Sequence, residues 1–131
     1  MKREGRTTKP ITRQWLNIAA EDLDVGQSML DSGRYLYAGF QAQQCTEKAL
    51  KAVIEENTGR PLKIHDLVVL AKTAGLDAGF QESILVLSPY YIATRYPEER
   101  EELSGRTNMD VAKQLLQTAR EVLEWAKKRL T

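Results

Sequence analysis

Phe40-Gln41-Ala42-Gln43-Gln44-Cys45-Thr46-Glu47-Lys48-Ala49-Leu50-Lys51-Ala52 mixes small apolar side chains with Gln, Glu and Lys at helical spacing, and its reading decides the fold. Ala42, Cys45, Ala49, Ala52 and Val53 recur at three- and four-residue steps, which stacks them on one face of an α-helix. Short side chains along such a stripe let another helix approach closely. The helix therefore has to pack and, at the same time, present polar groups to its neighbours. Glu47 and Lys51 stand one turn apart and are spaced to pair, a contact worth about 0.2–0.5 kcal/mol when exposed. Spacing alone also fits these charges to a solvated face.

On either side of this stretch the periodicity stays helical, and nothing alternates long enough to argue a strand. Pro10 and Thr12 open a first helix marked by Trp15, Ile18, Ala19, Asp22, Leu23, Met29 and Leu30, ending at Asp31-Ser32-Gly33. The central helix starts near Arg34, carries Tyr37, Phe40, Leu50 and Ile54 as bulky core residues, and stops at Asn57, Gly59 and Pro61. A short third helix runs from about His65 to Ala74, anchored by Leu67, Val68 and Leu70 and buried nearly all round, with Gly75 as a left-handed cap. A fourth runs from Asp77 or Gly79 to Arg95, with Phe80, Ile84, Leu87, Tyr91 and Arg95 on one face. Pro89 removes a backbone donor and should bend it near Leu85 to Ser88; Pro97 ends it at the Arg95-Tyr96 corner. Glu98 to Arg106 is expected as a charged loop with Gly105 as its flexible point. Thr107 or Asn108 caps a last helix striped by Val111, Leu115, Ala119, Val122 and Ala126. The expected architecture is all-α, an up-and-down bundle of four main helices plus one short helix. Residues 1–11 are expected as a flexible N-terminal segment and 12–131 as a single domain.

A chain of 131 residues suits one domain with one core. Its 19 basic and 18 acidic side chains give no global field towards nucleic acid or membrane, although a local patch stays open. The single cysteine, Cys45, lies on the packed stripe and reads as a small buried hydrophobe. No apolar run nears the ~20 residues that span a bilayer, and the basic Met1–Lys9 segment lacks an apolar stretch after it, so a cytoplasmic protein is expected. His65 is the one histidine, without a second His or Cys at ligand spacing, so neither a metal nor another cofactor is expected.

Ile18-Ala19-Ala20-Glu21-Asp22-Leu23, Gly33-Arg34-Tyr35, the Gln-rich Glu-Lys helix, Ile64-His65-Asp66-Leu67 and Thr94-Arg95-Tyr96-Pro97 follow one another with fitting gaps. In this order they resemble the HEPN domain family, a nucleotide-binding domain of higher eukaryotes and prokaryotes, from about Thr12 to Leu130. The resemblance implies a helical bundle that is usually dimeric. It also implies pairing with a small nucleotidyltransferase encoded alongside, as a two-component or toxin–antitoxin unit. Some members are metal-independent ribonucleases that use an arginine and, about one helical turn later, a histidine.

The arginine matching that motif is Arg95, and Tyr96, Pro97, Glu98, Glu99 and Arg100 follow it without a histidine. A guanidinium binds a phosphate bidentately and an imidazole moves protons near neutral pH, so the catalytic candidates are Arg95, Tyr96 and His65. The expected ligand-binding set is Arg95, Tyr96, Tyr91, Glu47, Lys48, Lys51, His65 and Asp66. In the free protein Arg95 is expected to pair with Glu47, and His65 with Asp66 to cap the third helix. No Gly-rich phosphate loop marks the chain as a nucleotidyltransferase, so nucleotidyl transfer would fall to the partner. Three functions remain: a dimeric nucleotide- or RNA-binding module, a ribonuclease toxin with a degenerate Arg/Tyr site, and a non-catalytic helical adaptor.

Overall fold

Two uninterrupted helical patterns in the first half of the sequence become two long helices joined by a tight turn. The structure, a computed structural model, describes residues 8–60 and 62–130. Its elements are α1 (Pro10–Asp31), α2 (Tyr35–Thr58), α3 (Leu67–Ala74), a 3-10 turn (Ala78–Phe80), α4 (Gln81–Leu87), α5 (Tyr90–Ala93), α6 (Pro97–Arg106) and α7 (Met109–Leu130). Among the described residues there is no strand. The fold is the expected all-α, up-and-down bundle. α1 begins at Pro10, inside the segment read as flexible from sequence, because proline suits the first helical turn. Residues 1–7 and Pro61 lie outside the described residues.

α2 is the axis of the molecule and packs against every other α-helix. Its small-residue stripe explains how: Ala38, Ala42, Cys45, Ala49 and Ala52 are wholly buried, so neighbouring backbones come close. At Gly39 an added methyl would stand 2.5 Å from the Tyr90 ring, so the bare backbone is what seats α5 against α2. Cys45 is inert packing, its Sγ lying 3.9 Å from the Ala119 carbonyl and its thiol pushed up to about 12, chiefly by burial. α2 ends at Gly59, whose φ of 67° closes the helix in the left-handed region. There the Thr12 hydroxyl (2.9 Å) and the Lys9 N–H (3.1 Å) donate to Glu56 Oε1, which ties the start of α1 to the end of α2.

The second half departs from the sequence reading in three places. The expected fourth helix is broken into the 3-10 turn, α4 and α5. Ser88 and Pro89 separate the last two, and the Ser88 N–H and hydroxyl both donate to the Ile84 carbonyl at 3.1 Å. The expected charged loop is α6: Pro97 occupies its first turn, Glu98 and Glu99 suit its positive end, and Leu103 anchors it in the core. α3 is not buried all round, since Val69 is 43% exposed. Asp66 alone caps α3, its carboxylate accepting from the Val68 (2.9 Å) and Val69 (3.3 Å) N–H groups. For α7 the cap is Asn108, which accepts from the Val111 N–H, while Thr107 is held in the core by Leu103 and Tyr90. No helix among the described residues is long and apolar enough to cross a membrane.

Candidate functional site

The polar residues of α2 converge on one buried carboxylate. Glu47 is 1% exposed and accepts three side-chain hydrogen bonds, from Gln43 Nε2 (3.1 Å), Lys51 Nζ (2.9 Å) and His65 Nδ1 (2.9 Å). Gln43 and Lys51 are its neighbours one turn below and above on the same helix. His65 arrives from the loop after α2. Because Asp66 is fixed as the cap of α3, the residue before it is held where its ring reaches back to α2. Burial pushes the Glu47 carboxyl up, but the bonds from Lys51, His65 and Gln43 outweigh it and hold the group below the ordinary carboxylate value. An ionised carboxylate only accepts, so His65 Nδ1 carries the proton of that bond and the lone pair of the neutral ring sits on Nε2.

From His65 the contacts lead outward. Its ring, attached to a side chain that is 50% exposed, stacks on Tyr91 with centroids 4.4 Å apart and planes 18° apart. The Arg95 guanidinium lies 4.4 Å from the centroid of the same Tyr91 ring. Towards α1 a second arm runs through amides and ammonium groups. Gln44 Nε2 donates to Gln43 Oε1 (2.6 Å), Lys48 Nζ donates to Gln44 Oε1 (2.9 Å), and Lys48 stands 3.8 Å from Asp22. Burial raises the Asp22 carboxyl, with Lys48 opposing that shift and Glu21 and Glu47 adding to it. Lys51 lies 5.7 Å from the Trp15 ring centroid.

Of the residues expected to bind ligand, Glu47, Lys48, Lys51, His65, Tyr91 and Arg95 share this one connected patch. The expected Arg95–Glu47 pair does not form. Lys51 and His65 occupy the carboxylate, and Arg95 rests on Tyr91, exposed and with no carboxylate partner among the described residues. Asp66 is engaged as a helix cap. Tyr96 is 56% exposed and forms the extended residue ahead of α6, one step beyond the patch. Tyr90 points into the core, where its hydroxyl meets Thr107 Oγ1 at 2.6 Å. Sequence reasoning missed Gln43, whose position four residues before Glu47 was the available signal, and missed that His65 turns to Glu47 rather than to its own helix. No cluster of metal-ligating side chains occurs among the described residues. The patch thus offers an exposed guanidinium, a flat aromatic face and a carboxylate-oriented imidazole, groups suited to a phosphate, a base and a proton respectively.

A family model described as the HEPN domain matches residues 12–130. Among solved structures, TT1696 from Thermus thermophilus superposes with a TM-score of 0.78 at 29% identity, over 91% of this chain and 98% of that one. ST0689, an archaeal HEPN homologue, superposes with a TM-score of 0.74 at 24% identity, over 92% of this chain and 98% of its own, a likeness of fold. No curated protein matches the sequence.

Proposed function

The chain belongs to the HEPN domain family, and on that premise we propose that it is a cytoplasmic nucleotide- or RNA-binding module that acts as a homodimer with a minimal nucleotidyltransferase partner, in a two-component or toxin–antitoxin unit. The observation that carries this reading is Arg95: a guanidinium, exposed and without a carboxylate among the described residues, resting on a tyrosine that also stacks on histidine. A phosphate would take the guanidinium and a base would stack beside the rings. Glu47 stays with Lys51 and His65 when ligand binds, because Arg95 does not have to leave it. Titration of the protein with nucleoside phosphates and short single-stranded RNA at two salt concentrations tests the proposal. Saturable binding that weakens with salt and disappears in Arg95→Ala supports it. Binding that is absent, or unaltered in Arg95→Ala, refutes it.

One observation favours a second reading, a metal-independent ribonuclease. The histidine missing after Arg95 in sequence has a counterpart in space, because His65 shares Tyr91 with Arg95 and is oriented by Glu47. In that reaction Arg95 holds the scissile phosphate, His65 Nε2 accepts the proton of the 2′-hydroxyl as its oxygen bonds to phosphorus, and the P–O5′ bond breaks to release a 5′-hydroxyl protonated from solvent. RNA cleavage in excess chelator, abolished by both Arg95→Ala and His65→Ala, would establish it. Cleavage surviving both substitutions would exclude it.

A further inference from the structure

Arg100 of α6 is half-buried, and no acid answers its charge. Its guanidinium lies 4.9 Å from the centroid of the Tyr37 ring on α2 and donates to the Tyr37 hydroxyl. That bond engages one of five N–H donors, and a neutral phenol returns no charge. Arg100 has no carboxylate partner among the described residues, although Glu99 and Glu101 flank it in the chain. Withdrawing a cation from water without an anion beside it is costly. Arg100 lines a cavity of about 280 Å³ between the α1–α2 turn and α6, together with Arg34, Tyr35, Tyr37, Ser104 and Thr107. No Asp or Glu lines this cavity, and Arg34 also lacks a carboxylate partner among the described residues. The Thr107 hydroxyl is taken up by Leu103 and Tyr90, whereas that of Ser104 makes no hydrogen bond among the described residues.

We propose that this cavity binds the phosphate of a phosphomonoester, held by Arg34 and Arg100 with the Ser104 hydroxyl as a further donor. Charge and donor count select the ligand. Two guanidinium groups match the nearly full double charge that a phosphomonoester carries at neutral pH. A monoester phosphate also offers three acceptor oxygens, where a carboxylate offers two and a single charge, and arginine forks suit its planar pairs of oxygens. The start of α2 adds to this, because its N-cap, Arg34, supplies no side-chain acceptor to the N–H groups of the first turn. The cavity shares no residue with the patch around Glu47, His65 and Arg95, so it is a second site and does not depend on that reading. The phosphate can be borne by a small sugar phosphate or by the 5′ end of an RNA strand.

Proton–nitrogen NMR of the full chain tests the site, read at the backbone amides of Tyr35, Leu36 and Tyr37 and at the Nε–H of Arg34 and Arg100. Inorganic phosphate, exchanged for chloride at constant ionic strength, should move these signals saturably. Arg34→Gln and Arg100→Gln should each weaken that response at least about tenfold. Should Arg100→Gln misfold, Arg100→Lys keeps the charge without the fork and should weaken it as well. Signals that do not saturate, or that respond equally in the arginine variants, overturn the inference. Ribose 5-phosphate and a short 5′-phosphorylated RNA then separate the two sources, the tighter of them identifying the bearer; failure of both to move the signals overturns the site. The same RNA with a 5′-hydroxyl should leave the signals in place, and an equal response to it overturns the assignment to a monoester. Because the signals belong to the α1–α2 turn and α6, a null result here leaves Arg95-dependent nucleotide binding standing, and the absence of that binding leaves this cavity standing.

Discussion

Glu47 and Glu56 are the same residue type on the same helix, buried to the same degree at 1% and 3% exposure, yet they do different work. Nine residues separate them, two and a half turns, so they leave α2 on opposite sides. Glu56 accepts from the Thr12 hydroxyl and the Lys9 N–H, both at the start of α1, and so acts as a clasp within the fold. Glu47 accepts from Lys51 and from His65, and through His65 it is connected to Tyr91 and to a guanidinium in solvent. Burial of a carboxylate is therefore a poor guide to function. Where its partners lead is the better one.

The sharpest way to break this contrast is Glu47→Ala. It leaves Lys51, 9% exposed at the side chain, without its acceptor, and should cost about 3–5 kcal/mol in urea unfolding. The same group sets an acid limit. Its carboxyl is held below the ordinary 4.5, so its stabilisation is complete above that pH and is lost as pH falls through the lowered value. Glu47→Gln should flatten this part of the stability–pH curve, and an unchanged slope would show that the carboxylate is not ionised in the fold. At the clasp, Thr12→Val should cost about 1–3 kcal/mol by removing a buried donor to Glu56, with nucleotide affinity unaltered. Altered affinity there would erase the distinction between the two glutamates. The smallest effect on stability belongs to Arg95→Ala. Because the side chain is exposed, the melt should stay within about 0.5 kcal/mol of wild type while nucleotide binding disappears.

Much of this was legible in the residues. Helical periodicity located α1, α2 and α7, and the caps at Asp66, Gly59 and Gly75 follow from local backbone chemistry that sequence reports directly. α6 escaped because Leu103 is its one buried side chain, leaving no apolar period to see. Pro97 followed by Glu98 and Glu99 was a helix-start signal that looked like a stop for the preceding helix. Within the site, the Glu47–Lys51 pair is a one-turn contact and was visible. The Glu47–His65 bond joins two elements across a loop whose path sequence does not specify. The same limit applies to Arg95, whose expected partner was chosen by charge, whereas the fold gave it an aromatic one.

The bare backbone at Gly39 carries a consequence for anyone redesigning this bundle. Mid-helix glycine normally invites replacement, since alanine gains about 1 kcal/mol from helix propensity. Here the ring of Tyr90 fills the space a methyl would take, and Tyr91 and Arg95 follow it along the chain. A stabilisation campaign guided by propensity would thus lever α5, and the guanidinium that follows it, out of register through an atom that was never there.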